Sequence, residues 1–163
     1  MDEARAPVLG ALASFRAEVM APVHTNDLTA VWTWLAGALA AALPNVPVQI
    51  GPMPDGQEAP DRCIAIMDYP GPSTPNWRTE PRVQIRMRSA RPGPQVSPYY
   101  DCHLLADAVD AVVAPSDVEH LVIPLAGGRQ AILRKVSGPM PLGPDSAGRW
   151  EMTINVALDY AKA

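Results

Sequence analysis

Apolar and polar residues alternate near the end of the sequence, over residues 149–160. The even positions are apolar: Trp150, Met152, Ile154, Val156, Leu158 and Tyr160. The residues between them are mostly polar: Arg149, Glu151, Thr153, Asn155 and Asp159. A period of two is typical of a half-buried β-strand with one apolar and one polar face. A turn rich in Gly, Pro and Asp precedes it over residues 142–148. This segment is therefore predicted to be the closing strand, the last strand in sequence order.

Two segments have the start and stop signals of helices. The first begins at Thr25 or Asn26 as N-cap and ends before Pro44. Its apolar stripe contains Leu28, Val31, Trp32, Leu35, Leu39 and Leu43, whereas Trp34 lies off the stripe and is expected at the domain edge or in a subunit contact. The second has Ser97 as cap and Pro98 at the first helical position. It runs to about Val113, with a predicted core stripe of Leu104, Leu105, Ala108, Val109 and Val112.

Five further segments predict strands, at residues 46–50, 62–69, 82–89, 119–125 and 130–137. Residues 62–69 are apolar on both faces, so both faces should be covered. Residues 82–89 alternate, with Val83, Ile85 and Met87 inward and Arg82, Gln84, Arg86 and Arg88 outward. The resulting order predicts an α+β domain, with a mainly antiparallel sheet of about five to six strands and two main helices packed on one face.

We expect one domain over residues 1–163, with the α+β core at residues 25–161. Residues 1–24 form either a partly ordered N-terminal arm or a short helix that docks on a neighbouring subunit, since Val8, Leu12 and Phe15 have helical spacing. The longest apolar run, residues 31–43, is shorter than the roughly 20 residues of a membrane span. No signal peptide is evident, so we expect a soluble protein made in the cytoplasm, with no membrane partner.

The titratable residues do not form a recognisable catalytic pattern. Cys63 and Cys102 are too few for a disulfide framework, and buried free thiols are favoured over one bridge. His103 and Asp107, four apart on a helix, are read as a surface pair rather than as metal ligands. Asp145 is read as a turn residue that bonds its own backbone rather than as half of a carboxylate pair with Glu151. We therefore expect no enzyme, cofactor or metal.

The turn and the closing strand carry a resemblance to a known family. Residues 142–160 resemble the C-terminal signature of the tail terminator proteins of long-tailed bacteriophages, a family often labelled phage minor capsid protein. The matching residues are Leu142, Gly143, Asp145, Gly148, Arg149, Trp150, Glu151, Asn155, Leu158 and Tyr160. Residues 43–48, 68–71 and 83–89 are similar to the family more loosely, in order and spacing. The similar region is roughly residues 25–160.

The resemblance implies a virion structural protein of the tail and neck, assembled in the host cytoplasm. Such a protein forms a homohexameric ring that caps the tail tube, stops its polymerisation and provides the docking surface for the head–tail connector. Its partners would be copies of itself, the tail tube protein and the head completion protein. DNA would pass through the ring without sequence-specific binding. The alternatives are another neck component, such as a head–tail adaptor or tail completion protein, and a small host ligand-binding domain.

The candidate contact residues lie in three places. Arg82, Arg86 and Arg88 form a basic strand face, which could be a solvated surface, a subunit contact through Arg–carboxylate pairs, or a lining that meets DNA. The net charge of −4 favours the subunit contact over DNA. The loop at residues 70–81 adds Trp77 and Arg78, and the turn region adds Asp145, Arg149 and Glu151.

Overall fold

The computed structural model describes residues 25–56, 58–69, 81–118 and 120–162. Over these residues it has two helices and six strands in the order helix, three strands, helix, three strands. They are α1 (Thr25–Ala42), β1 (Val48–Ile50), β2 (Cys63–Asp68), β3 (Arg82–Arg88), α2 (Pro98–Val113), β4 (Leu121–Pro124), β5 (Arg129–Pro144) and β6 (Trp150–Lys162). The predicted α+β class and element order are confirmed. The predicted N-terminal arm lies outside the described residues.

The six strands form one mixed sheet in the order β1-β2-β3-β6-β5-β4, curled as a half-barrel. β1 runs parallel to β2, and every other neighbouring pair is antiparallel. The closing strand β6 lies in the interior of the sheet between β3 and β5, where it pairs along most of its length. Its long alternating pattern therefore corresponds to the strand that joins the two halves of the sheet.

Both helices pack on the same face of the sheet and enclose the main core. α1 contributes Val31, Leu35 and Leu39, which are fully buried, and Trp34 packs half-buried against the same core. The strands contribute alternate residues, among them Ile85 on β3 and Ile154 on β6. Burial of each such side chain stabilises the fold by about 1.5–3 kcal/mol. The helix-covered face of the sheet is thus the apolar face that the sequence predicts.

α2 begins as predicted but is rotated about its axis relative to the predicted stripe. The Oγ atom of Ser97 accepts the backbone N–H of Tyr100, and Pro98 occupies the first turn. Its buried residues are Cys102, Leu105, Ala106, Val109 and Val113. The predicted stripe included Leu104, which is instead 48% exposed. That part of the prediction is wrong, because α2 packs on the sheet through the stripe of Cys102, Leu105, Ala106, Val109 and Val113.

β5 is twice as long as predicted and extends through a proline-rich segment. The sequence suggested an end at Ser137 and a turn over residues 142–148, whereas β5 continues to Pro144 and pairs with the start of β6. Register shifts after Lys135, Ser137 and Pro141 bend the strand there. β4 pairs only with residues 130–133, so the remainder of β5 is an edge, where proline is tolerated. The turn itself is short, from Asp145 to Arg149.

Candidate functional site

The face of the sheet opposite the helices carries a ladder of polar side chains across β3, β6 and β5. Glu151 on β6 accepts two hydrogen bonds at Oε2 from Arg86 on β3, one from Nε over 2.9 Å and one from Nη2. One step along, Gln84 Nε2 donates to Asn155 Oδ1 over 3.2 Å. Asn155 Nδ2 in turn donates to Ser137 Oγ on β5 over 2.9 Å. The ladder ties the three central strands together through side chains as well as through the backbone.

This polar face is more deeply buried than a half-buried strand predicts. Glu151 is 6% exposed, Thr153 1% and Asn155 4%. Thr153 is satisfied internally, since its hydroxyl donates to the carbonyl of Ile85 over 3.3 Å. Buried polar groups are stable only when they are hydrogen-bonded, and these residues supply one another's partners. Their side chains therefore form hydrogen bonds inside the fold and do not make up a solvated surface.

Arg88 lies on the outward face of β3, as predicted, but it is covered there rather than solvated. Its side chain is 1% exposed, Nη1 donates to the carbonyl of Pro54 over 2.6 Å, and Nη2 donates to the carbonyl of Pro60 over 2.7 Å. Both carbonyls belong to the loop between β1 and β2, described at residues 51–56 and 58–61, which folds back over the start of β2. The forked shape of a guanidinium allows one side chain to hold two points of that loop.

The same loop covers the second face of β2. Met53 packs on Cys63 and Ala65, and the Cys63 Sγ–Met53 Sδ distance is 3.1 Å. Ile64 and Ile66 point into the main core on the other side. The prediction that both faces of this strand are covered is confirmed, and residues 51–61 are the cover that the sequence left unidentified.

The turn between β5 and β6 is built on Asp145, as its predicted role in bonding its own backbone requires. Asp145 Oδ1 accepts the backbone N–H groups of Ala147, over 2.8 Å, and of Arg149, over 3.0 Å. Burial alone would raise the pKa of Asp145, but hydrogen bonds from the Arg149 side chain and from these two backbone N–H groups outweigh it. The net effect lowers the pKa below the ordinary 3.8. The carboxylate is therefore held in its charged form.

A cluster of charges braces this end of the sheet. Arg149 is 3% exposed; its Nε donates to Asp145 Oδ2 over 2.7 Å, and its Nη1 donates to the carbonyl of Ala59 over 3.4 Å. Asp61, at the end of the same loop, accepts Arg91 Nε over 2.6 Å. Arg88 and Arg149 thus hold residues 51–61 from inside, while Arg91 holds Asp61 from the solvent side. The arrangement fixes the loop.

Ion pairs on both flanks of α2 attach that helix to the sheet. Asp101 lies 3.3 Å from Arg62 Nη2 and also accepts the backbone N–H of Ala90 over 2.8 Å. On the opposite flank Lys135 Nζ lies 2.6 Å from Asp110 Oδ1. These contacts flank the buried stripe of the helix. Tyr100 and Leu104 lie on its exposed side.

The contact residues named from the sequence fall into three groups. Trp77 and Arg78 lie outside the described residues. Arg88, Arg149 and Glu151 are buried and bonded within the chain, and Asp145 is committed to its turn. Arg82 and Arg86 are half-buried on the polar face of β3. For these two arginines a role in contacts between subunits stays a prediction.

His103, which was considered as a metal ligand, is packed among aromatic rings. The ring of His103 packs against Tyr99, 4.4 Å between centroids, and Tyr99 packs against Trp150 at 5.1 Å. The expected His103–Asp107 pair is therefore replaced by an aromatic contact. Within the described part of the chain, no group of three or more His, Cys, Asp or Glu residues is placed to hold a metal ion.

Both cysteines are free and buried, as predicted. Burial, with smaller contributions from Asp101 and Glu151, raises the pKa of Cys102 to about 12. Burial also raises the pKa of Cys63, although Arg88 and Arg149 act against it. A thiol with a raised pKa and no access to solvent is a poor nucleophile. Neither residue is suited to catalysis or to ready oxidation.

Comparisons with known proteins add no assignment. No protein-family model and no curated protein matches the chain. Among the helices of the described residues, none has the length and apolar character needed to cross a membrane.

Proposed function

We propose that this chain is a phage tail terminator: a virion structural protein that assembles into a ring, caps the tail tube and presents a docking surface to the head–tail connector. The ring is a homohexamer in the family that the sequence resembles. The protein acts by binding, and it has no catalytic step. Its partners are copies of itself, the tail tube protein and the head completion protein.

One observation supports this proposal more than any other. The polar residues of the family-like segment are used to build the scaffold: Asp145 and Arg149 form the turn, and Asn155 joins three strands. An active site would instead direct such groups into a cleft with an approach for substrate. A scaffold whose polar groups are satisfied internally is suited to presenting surfaces to protein partners.

Capping depends on a ring whose two faces differ. A ring made from heterologous contacts repeats the same surface around its axis and closes on itself. One face of that ring contacts the last ring of tube subunits, and the other face does not accept a further tube subunit, so growth stops. That second face is then available to the connector. Residues 70–81 and residues 142–148, which comprise the end of β5 and most of the turn before β6, are the segments we assign to contacts between rings or subunits.

A co-purification experiment separates this function from its alternatives. The tagged chain is mixed with purified tail tube protein and, separately, with portal complex from the same genome. A terminator retains the tail tube protein. Binding to the portal complex alone would instead identify a head–tail adaptor. A protein that stays monomeric and retains neither partner would point to a ligand-binding domain and would refute the proposal.

A further inference from the structure

One side of α2 exposes apolar side chains. Tyr100 is 63% exposed and Leu104 is 48% exposed. Asp107 and Ala111, which are also exposed, follow on the same side of the helix. Steps of four, three and four residues place these four positions, here called the α2 stripe, along one line of a helix. We propose that residues 7–20 of the same chain bind to the α2 stripe as a third helix.

The sequence before α1 contains a matching stripe. Val8, Leu12, Phe15 and Val19 are apolar and follow one another by the same steps of four, three and four residues. Pro22 ends the pattern. A short helix with one apolar side is stable mainly when that side packs against another surface. Residues 7–20 therefore require such a surface, and the α2 stripe offers one with the same spacing.

The end of α1 and the start of α2 lie at the same end of the sheet. The chain that leaves α1 reaches the start of β2, where the carbonyl of Pro47 accepts the N–H of Ile64 over 2.9 Å. Through β3, the start of β2 is level with the start of β6. α2 also begins there, since Tyr99 packs on Trp150. The two helices therefore run in opposite directions over one face of the sheet.

The start of α1 is consequently close to the end of α2. α1 has 18 residues and is about 27 Å long, so Thr25 lies at the far end of the sheet. α2 finishes toward the same end, because Asp110 pairs with Lys135, which is opposite Val156 on β6. Residues that precede Thr25 thus enter beside the last turns of α2.

A short connection is enough to place residues 7–20 along α2. Residues 21–24 separate the segment from α1, and four extended residues span at most about 14 Å. Packed helices lie about 8–10 Å apart. Because the segment joins α1 at the end where Ala111 lies, Val19 is placed next to Ala111, and Val8 is placed next to Tyr100. The third helix is then parallel to α2 and antiparallel to α1.

This alignment also brings opposite charges together. Leu12 lies opposite Leu104 and Phe15 lies opposite Asp107, so Arg16 is beside Asp107. Asp107 is exposed and makes no ion pair with any residue that the structure describes. The guanidinium of Arg16 supplies the partner for this carboxylate. An amphipathic helix bound through apolar anchors, with a charge pair beside them, is a common mode of recognition. The inference concerns one chain and does not rest on the proposed ring.

Labelling of a thiol at position 104 tests the contact. Leu104→Cys is made in the full chain, and its rate of reaction with a thiol-reactive chromophore is measured in native buffer. Cys63 and Cys102 are 1% and 0% exposed, so they add little background. Val122→Cys is the control thiol, because Val122 is 45% exposed on β4, where the adjacent Ile123 points into the core. Position 104 should react about tenfold more slowly than position 122.

Removal of the apolar side of the segment should expose position 104. In the chain that also has Leu12→Asp/Phe15→Asp, the labelling rate at position 104 should rise about tenfold. The rate at position 122 should stay the same with and without these changes. Circular dichroism checks that each variant folds.

A charge exchange tests the predicted ion pair. Arg16→Asp should raise the labelling rate at position 104 about two- to fivefold, and Arg16→Asp/Asp107→Arg should restore the slow rate. Arg5→Asp is the matched control, because it makes the same change of charge outside residues 7–20. It should leave the rate unchanged.

A disulfide reports whether the segment and the stripe belong to the same chain. Leu12→Cys/Leu104→Cys should form a bond within one chain under mild oxidation, with the mass of a monomer on a nonreducing gel. Ser14→Cys/Leu104→Cys is the control, because position 14 lies on the other side of the predicted helix and should not form the bond.

Three outcomes overturn the inference. Labelling at position 104 that is as fast as at position 122 would show that the α2 stripe is open to another protein. A slow rate that Leu12→Asp/Phe15→Asp does not change would show that a different contact covers it. A disulfide that joins two chains would assign the stripe to the segment of a neighbouring copy.

Discussion

One carboxylate holds both the side chain and the backbone of the same arginine. Asp145 accepts Arg149 Nε at Oδ2 over 2.7 Å and the backbone N–H of Arg149 at Oδ1 over 3.0 Å. Arg149 then reaches the carbonyl of Ala59, so the turn before β6 and the loop after β1 are connected through one buried guanidinium. The turn before β6, which lies in the segment that resembles the family, thus anchors the loop between β1 and β2.

Replacing Asp145 by Asn should remove the charge partner of a buried arginine. We expect the free energy of unfolding to fall by about 2–3 kcal/mol at pH 7. The folded-state pKa of Asp145 is below 3.8, so this stabilisation is present above pH 3.8 and is lost as pH falls through the folded pKa. The variant and the wild type should therefore converge in acid.

Urea unfolding at pH 7 and near the acid limit of the fold measures this difference. Asp68→Asn is the control, because Asp68 is exposed on β2 and its change should stay within about 0.5 kcal/mol at both pH values. A stability loss in Asp145→Asn that is the same at both pH values would contradict the charge-pair account.

Arg88→Met should loosen the loop at residues 51–61. The substitution leaves the carbonyls of Pro54 and Pro60 without their buried donor, and we expect a loss of about 2–4 kcal/mol in unfolding free energy. Cleavage within the loop by a nonspecific protease should also become faster. Arg91→Met removes a solvent-exposed pair with the same loop and should cost less than about 1 kcal/mol. Equal losses of unfolding free energy in the two variants would contradict the role of Arg88 in holding this loop at two carbonyls.

The two thiols should be inaccessible in the folded protein. With the pKa of Cys102 at about 12 and that of Cys63 also raised, little thiolate exists at pH 8. A thiol-reactive chromophore should label neither residue in native buffer and both in urea, with a native rate that follows global unfolding. Fast labelling of either cysteine without denaturant would show that the cover over β2 or the packing of α2 opens locally.

Gly138→Ala should be strongly destabilising. A Cβ at this position would lie 2.6 Å from the carbonyl oxygen of Thr153 and 2.9 Å from Cα of Ile154, and the backbone φ is +106°. We expect a cost of about 2–4 kcal/mol from this overlap and strain. Gly37→Ala on α1 has open space around it and should stabilise the protein by about 0.5–1 kcal/mol. Thermal unfolding of both variants gives the comparison, and a neutral Gly138→Ala would contradict the close approach of β5 to β6.

The sequence predicts the elements well because their signals are local. Ser97 and Pro98 mark the start of α2, and alternation marks β3 and β6. The rotation of α2 is not local. Apolar residues surround most of that helix, so its period allows two stripes. The buried stripe is the one that packs against α1 and the strands, whose residues are distant in sequence.

The candidate site shows the same limit. An arginine on the polar side of an alternating strand predicts a solvated side chain, and Arg88 is buried only because a loop from between β1 and β2 folds over it. The sequence predicts a strand that ends at Ser137, whereas β5 runs on through Gly138 and Pro139. It continues because β4 leaves that part of β5 as an edge, where a missing N–H is tolerated. Both outcomes depend on which segments become neighbours.

The most direct test of the proposed function is the length of tail tubes assembled in its presence. Purified tail tube protein is allowed to polymerise with increasing amounts of the chain, and the tubes are measured by electron microscopy. A terminator should appear as a ring at one end of each tube and should shorten the tubes in proportion to its amount. Tubes of unchanged length with bare ends, formed while the chain is folded and in excess, would contradict the account.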